Sequence, residues 1–175
     1  MQAAAKLPQR PEHAAWTDYL REVSLFSDIS EQPEALRFLV ELMAERSFKP
    51  GEDILREGET GTDMFFLLQG EAGVFKSTLE GDQYKVFILK AANHAFFGEG
   101  GMLDSDARSA TIRAETTCRC LVLGSDAFQK FSKQHPEWAL PVLARIAQAV
   151  MARLRKTNHD LTLLYNALVS EIRGG

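Results

Sequence analysis

The spacing of apolar residues divides the chain into a helical start, a middle of short strands and a helical end. Between about residues 16 and 46, apolar residues recur every three or four positions, which predicts amphipathic helices. The helical spacing is clearest at Leu36, Leu39, Val40 and Met43. Residues 1–14 are rich in alanine, proline and charge, so we expect an N-terminal arm there. Residues 1–24 are therefore assigned to an arm and first helix.

The middle of the chain, about residues 47–123, consists of short apolar segments separated by glycines. The run Phe65-Phe66-Leu67-Leu68 predicts a buried strand, and several later segments alternate with period two. Turn residues such as Pro50-Gly51 separate these segments. Many short strands with turns between them predict a β-sandwich or barrel, so residues 25–135 are expected to form the central domain.

The end of the chain predicts a long helix over residues 136–173, with Pro136 in its first turn and a break expected at Pro141. A heptad stripe, called the seam below, consists of Leu143, Ala147, Val150, Leu154, Thr157, Leu161, Leu164 and Leu168. A stripe this narrow favours pairing with a second helix, so we expect a homodimer. Packing of the helix on the chain's own barrel is the alternative.

Composition and charge exclude several classes of function. The chain has 175 residues, 45% of them hydrophobic, and a net charge of −4, which fits one globular domain and argues against nucleic acid as the main partner. No apolar run approaches the roughly 18 residues of a membrane span, and the start lacks a signal peptide, so a cytoplasmic protein is expected. Cys118 and Cys120 are interpreted as buried small hydrophobes, and the four histidines have no metal-ligand spacing.

The candidate chemistry lies in residues 96–111, where Glu99 and Arg108 are nine positions apart among small and apolar residues. Three nearby glycines, Gly98, Gly100 and Gly101, let the backbone approach a ligand closely. Residues 101–106 have the length of one helical turn, whose amides would face an anion. Arg108 offers a permanent forked cation for phosphate, Ser109 a hydroxyl donor, and Glu99 acceptors for sugar hydroxyls. A ligand with both phosphate and ribose uses all of these groups, whereas the alternative is a Glu99–Arg108 ion pair that fixes the loop.

A set of motifs in this order resembles the cyclic nucleotide-binding domain over about residues 25–165. The motifs are Pro50-Gly51-Glu52, Ile54, Glu57-Gly58-Glu59, Gly70, Phe97-Gly98-Glu99 and Arg108-Ser109-Ala110-Thr111. The resemblance implies an α+β, mainly β fold: a jelly-roll β-barrel flanked by N-terminal helices and a long C-terminal dimerisation helix. It implies that Glu99 binds the ribose 2′-hydroxyl and Arg108 the cyclic phosphate. The implied phosphate and ribose site comprises Phe97, Gly98, Glu99, Gly100, Gly101, Met102, Arg108, Ser109 and Ala110.

Two positions depart from the family pattern, because Gly100 replaces an aliphatic residue and Ala107 a frequent proline. Neither change removes a charged contact, so we expect both to loosen the loop and to affect affinity more than ligand class.

The base is expected to be bound by the C-terminal helix. Thr157 and Asn158 resemble the pair through which catabolite activator proteins contact adenine, one residue from each subunit of the dimer. This favours cAMP, with cGMP as the alternative because the Ser109 hydroxyl also suits a guanine. The alternative role for Thr157 is a polar seam residue bonded to its own helix. The nearby cluster of Arg153, Arg155 and Lys156 is interpreted as surface.

These expectations describe a cyclic nucleotide sensor, not an enzyme, with no cofactor and an unknown downstream partner. Catalysis such as phosphodiester cleavage needs a metal cluster or activated nucleophile, and neither is visible. A cyclic dinucleotide fits poorly, because Arg108 is a single cation for two phosphates. Activator relatives carry a helix-turn-helix domain after the long helix, and this sequence ends before one, so we expect either a small signalling protein or part of a longer chain. The remaining alternative is a degenerate family member that acts as a ligand-free interaction module.

Overall fold

The structure is a computed structural model that describes residues 11–103 and 107–174. Three helical segments open the described chain: α1 (Glu12–Glu22), a 3-10 segment (Ser24–Ile29) and α2 (Pro33–Glu41). The helical start is thus confirmed, although α1 begins inside the predicted arm and Ala44 to Arg46 already belong to a strand. Residues 1–10 of the predicted arm lie outside the described residues.

Eight strands follow, and in the described residues they form two four-stranded antiparallel sheets. The strands are β1 (Ala44–Phe48), β2 (Asp53–Leu55), β3 (Met64–Gln69), β4 (Glu71–Ser77), β5 (Gln83–Lys90), β6 (Phe96–Phe97), β7 (Thr111–Ala114) and β8 (Cys118–Leu123). One sheet has the order β1-β8-β3-β6 and the other β2-β7-β4-β5. No ladder in the described residues joins the two sheets, so of the two expected architectures, sandwich or barrel, these strands form the sandwich and no closed barrel is found among them.

The first sheet separates two apolar cores. Phe65, Leu67 and the two cysteines face the second sheet, whereas Met64 and Phe66 face the helices. This explains the uninterrupted apolar run of β3, because a strand buried on both faces does not alternate. Cys118 and Cys120 are free and fully buried, as predicted, and burial raises the pKa of Cys120 to about 12.

The last helices are α4 (Ser125–Gln134) and α5 (Pro136–Gly174), and α5 is 39 residues long. The predicted break at Pro141 was wrong, because α5 continues through it. Pro141 removes one hydrogen bond near the helix start, and the buried residues Ala139, Val142 and Ile146 hold both sides of it against the core. Beyond Val150, α5 is almost entirely exposed. Among the described residues, no helix combines the length and apolarity needed to cross a membrane.

Candidate functional site

Arg108 is held between two backbone segments. Its amide donates to the carbonyl of Glu59 at 2.8 Å, and its own carbonyl accepts from the amide of Gly58 at 2.9 Å. The side chain is 8% exposed and donates from Nη1 to the carbonyl of Gly98 at 2.9 Å and from Nη2 to that of Asp63 at 2.8 Å. Both acceptors are neutral, so the buried guanidinium of Arg108 is stabilised mainly by the dipoles of these two carbonyl groups.

Burial lowers the pKa of Arg108, while the nearby charges of Asp63 and Glu99 raise it. The net lowering means that burial disfavours the cation more than those two charges favour it. An anion beside the guanidinium would oppose this effect.

Three glycines make room for the guanidinium of Arg108. A Cβ atom at Gly61 would lie 3.0 Å from Nη2, and one at Gly101 would lie 2.8 Å from Nη1. Gly98 has a φ of +81°, and a Cβ there would lie 2.7 Å from the carbonyl oxygen of Asp63. The glycines were predicted to let the backbone approach a ligand. In the structure they let the backbone approach the guanidinium of Arg108. Gly61 lies far from residues 96–111 in the sequence, so only the folded chain shows that it belongs to the site.

Gly100 and Met102 lie in α3 (Gly100–Leu103), the described part of the predicted helical turn, whose residues 104–106 lie outside the described residues. A Cβ at Gly100 would meet nothing within 4 Å, so the missing aliphatic side chain leaves open space. Met102 packs toward the helix-side core, and the Phe97 ring is stacked on Phe65 with centroids 5.4 Å apart. Both apolar side chains therefore brace the segment around Glu99.

Glu99 follows Gly98 at the end of β6 and is 3% exposed. Its Oε1 accepts a hydrogen bond from Nη1 of Arg153, which extends from α5. Among the described residues its Oε2 is buried without a hydrogen-bond partner. A buried acceptor without a donor is costly, so this oxygen is poised to accept a ligand hydroxyl.

Arg153 joins α5 to the strand before Glu99. Its Nη2 donates to the carbonyl of Phe96 at 3.0 Å, and its guanidinium carbon lies 5.6 Å from the centroid of the Phe96 ring. Arg153 is exposed, as its interpretation as surface implies, but that interpretation did not anticipate its contacts with Glu99 and Phe96. The signal was present in the sequence, because Arg153 continues the helical stripe of the buried residues Val142 and Ile146.

Lys156 lies one turn further on, with its Nζ 5.5 Å from the centroid of the Phe87 ring on β5. We call Val142, Ile146, Arg153 and Lys156 the pocket stripe of α5. Its first two residues are buried in the core, whereas Arg153 contacts Glu99 and Lys156 contacts Phe87 of the second sheet. Successive residues of an α-helix are about 100° apart around its axis. The pocket stripe begins at Val142 and the seam at Leu143, so the two stripes lie about 100° apart.

Ser109 and Ala110 complete the segment after Arg108. The ammonium of Lys76 on β4 donates to the carbonyl of Ser109 and lies 3.3 Å from Oε1 of Glu57. Lys76 thus fixes the backbone at Ser109. Ala110 packs at the border of the core between the sheets.

Thr157 and Asn158 are exposed on α5 and form no hydrogen bond or ion pair with Glu99 or Arg108 among the described residues. The carbonyl of Asn158 accepts from the hydroxyl of Thr162 at 2.9 Å, within the helix. The structure therefore brings together the phosphate and ribose candidates but leaves the two base candidates apart from them. Their role in base recognition stays a prediction.

The sequence is similar to that of cyclic nucleotide-gated channels. It is 34% identical over 134 residues to potassium/sodium hyperpolarization-activated cyclic nucleotide-gated channel 1 of Oryctolagus cuniculus, a match that covers 71% of this chain. The match covers 14% of the channel, so the similarity concerns a small part of that protein.

Two solved structures share the fold. A cyclic nucleotide-binding domain from Methylobacillus flagellatus KT superposes with a TM-score of 0.72 at 26% identity, covering 85% of this chain and 81% of the other. The catabolite activator protein of Thermus thermophilus superposes with a TM-score of 0.69 at 24% identity, covering 80% of this chain and 62% of the other. A family profile described as the cyclic nucleotide-binding domain matches residues 45–135, which include Glu99 and Arg108. The chain belongs to the cyclic nucleotide-binding domain family.

Proposed function

We propose that this chain is a cyclic nucleotide sensor in which Arg108 binds the cyclic phosphate and Glu99 the ribose 2′-hydroxyl. The observation that carries the proposal is the buried Oε2 of Glu99, which has no hydrogen-bond partner in the described part of the chain, beside the buried cation of Arg108. A ribose hydroxyl supplies the donor that Oε2 needs. A phosphate supplies the anion that Arg108 needs.

Arg108 has donors to spare for a phosphate. Its guanidinium carries five N–H groups, and the two bonds to Gly98 and Asp63 use two of them. Those two carbonyls also fix the plane of the fork, so little side-chain entropy remains to be lost on binding. The amides near Gly100, Gly101 and Ser109 are proposed to complete the phosphate site.

Binding is proposed to reach α5 through Arg153. The ion pair occupies Oε1 of Glu99, whereas the ligand takes Oε2, so one carboxylate joins the nucleotide to the long helix. A ligand that favours one position of Glu99 then favours one position of α5. This differential affinity is what a switch requires.

The decisive experiment is calorimetric titration of the protein with cAMP and with cGMP. Arg108→Ala is expected to weaken binding of either nucleotide at least about tenfold, because it removes a buried phosphate partner. Arg37→Ala, on the exposed face of α2, is the matched control and is expected to bind as the wild type does. Circular dichroism confirms that each variant is folded. Unchanged affinity in folded Arg108→Ala would show that the site is assigned wrongly.

A second candidate function is a ligand-free interaction module. The observation that favours it is that groups of this same chain already bond to Arg108 and Glu99. Arg108 is bonded to two carbonyls and Glu99 to Arg153, so part of the site is satisfied from within the chain. A thermal-shift panel of cyclic nucleotides separates the two candidates. A flat response to every nucleotide favours the module.

The proposal also includes a homodimer through the seam of α5, an unidentified downstream protein and a cytoplasmic location. The exposed leucines of the seam support the dimer, and Asn158 lies on the side of the seam that faces away from its own pocket stripe. We propose no chemical step, so chromatography is expected to recover the nucleotide intact after incubation. The preference for cAMP stays a prediction.

A further inference from the structure

Phe87 is an aromatic residue on the inner face of β5 that the core leaves uncovered. Phe87 pairs with Val74 across β4 and β5, and directly opposite residues project to the same face of a sheet. Val74 is 7% exposed in the core between the sheets, whereas Phe87 is 42% exposed. The ring therefore offers an apolar surface at the open edge of the sandwich.

The pocket stripe of α5 places this ring next to the ribose candidate. Arg153 contacts Glu99, and Lys156, three residues later on the same helix face, lies over Phe87. The two residues are about 4.5 Å apart along the helix axis, at 1.5 Å per residue. In a nucleotide, the base is attached to the carbon next to the one that bears the 2′-hydroxyl. A base that extends from a ribose at Glu99 along the pocket stripe would reach Phe87 and Lys156.

We propose that Phe87 is the stacking platform for the base and that Lys156 selects a 6-oxopurine, the guanine type, over adenine. The inference rests on the proposed function and deepens it by naming the class of base. The side chain of Phe87 supplies a π-face for stacking. An ammonium group donates hydrogen bonds and accepts none, so Lys156 needs acceptors on the base.

The two purines differ in the atoms that they present to such a donor. Guanine offers two adjacent acceptors, O6 and N7, whereas adenine offers N7 beside an amino group that also donates. Lys156 gains two acceptors from a 6-oxopurine but meets a competing donor on adenine. The contact therefore opposes the preference for cAMP that the Thr157–Asn158 pair suggests.

The test is to measure the affinities of the full chain for cGMP, cIMP and cAMP by calorimetry. cIMP has the O6 and N7 atoms of guanine without its 2-amino group, so it isolates the edge assigned to Lys156 from a contact of that amino group with Ser109. Both cGMP and cIMP are expected to bind about tenfold tighter than cAMP, the discrimination typical of a paired purine edge. A protein that binds cAMP as tightly as cIMP overturns the inference, even if cGMP binds best.

The matched variants are Lys156→Met, which keeps the length of the side chain and removes the donor, and Lys130→Met on the exposed face of α4. Lys156→Met is expected to bring the affinities for cIMP and cAMP within about twofold of each other, because it removes the donor that distinguishes the two bases. Lys130→Met is expected to keep the wild-type ratio. Phe87→Ala is expected to weaken all three nucleotides alike, since stacking depends little on the base. An unchanged cIMP to cAMP ratio in Lys156→Met overturns the inference.

The same panel distinguishes failure of the inference from failure of the proposed function. Equal binding of all three nucleotides overturns base selection by Lys156 and leaves the sensor proposal standing. Binding of none of them overturns both.

Discussion

The two stripes of α5 differ in chemistry although they lie side by side on one helix. The pocket stripe ends in two cations, and both contact the nucleotide-binding domain. The seam is apolar, and its leucines 154, 161, 164 and 168 are each about half exposed or more. An apolar stripe of this length outside any core marks an association surface. One helix face therefore contacts the candidate site, and the neighbouring face is the one proposed to pair with a second copy.

In the proposed sensor, this arrangement would link ligand binding to assembly without a separate linker. A rotation of α5 that moved Arg153 relative to Glu99 would also move the seam, because both belong to one continuous 39-residue helix. The proposed ligand binding and self-association would then be thermodynamically linked, and each would shift the other by the same factor. Substitutions confined to one stripe test whether the seam affects the dimer and the pocket stripe affects ligand binding.

The largest effect is expected from the seam. Leu164→Glu is expected to weaken the dimer at least about hundredfold, because it places an unpaired charge in the apolar contact of both subunits. Leu163→Glu, at the adjacent exposed position outside the seam, is the matched control. Light scattering across a concentration series measures the effect. A wild-type protein that is monomeric at every concentration contradicts the seam, and equal effects of the two substitutions contradict its register.

The phosphate and ribose candidates could be predicted from sequence because their signal is local. Glu99 and Arg108 lie nine residues apart in a segment whose glycines are needed wherever a backbone comes close to another group. The structure adds that Gly61, almost fifty positions earlier, is needed for the same guanidinium. Such a contact between distant segments follows from the sheet pairing, and spacing alone does not reveal it.

The pocket stripe was harder to predict because its residues change character along the helix. Val142 and Ile146 are apolar and buried, whereas Arg153 and Lys156 are charged, so a search for apolar periodicity finds only the seam. The sequence left open the choice between a sandwich and a barrel for a related reason. Strand patterns predict which segments pair with neighbours, but they do not determine whether the outer strands of two sheets meet.

A smaller effect is expected from the pocket stripe. Arg153→Met is expected to weaken every cyclic nucleotide about tenfold, because Glu99 becomes a buried carboxylate that has lost its ion-pair partner. In a cycle with Glu99→Gln, the two substitutions are expected to be non-additive, since Arg153 acts through Glu99. Calorimetry measures all four affinities, with Arg155→Met as the control on the same helix.

A gain in affinity for Arg153→Met would show instead that Arg153 competes with the ligand for Glu99. Additive effects in the cycle would show that Arg153 contacts the nucleotide directly. Either result would contradict the proposal that Arg153 supports ligand binding through Glu99. Neither result would bear on the seam.

The smallest effect is expected at Thr157, which lies in the seam next to Lys156 of the pocket stripe. Thr157→Val is expected to change nucleotide affinity by less than about threefold and to tighten the dimer, because a polar residue at a core position of a paired helix costs stability. Titration and light scattering on the same sample measure both quantities. Loss of affinity greater than tenfold with an unchanged dimer would place Thr157 at the base, as the resemblance to activator proteins implies. The two stripes would then share Thr157, and ligand and partner would meet at one side chain.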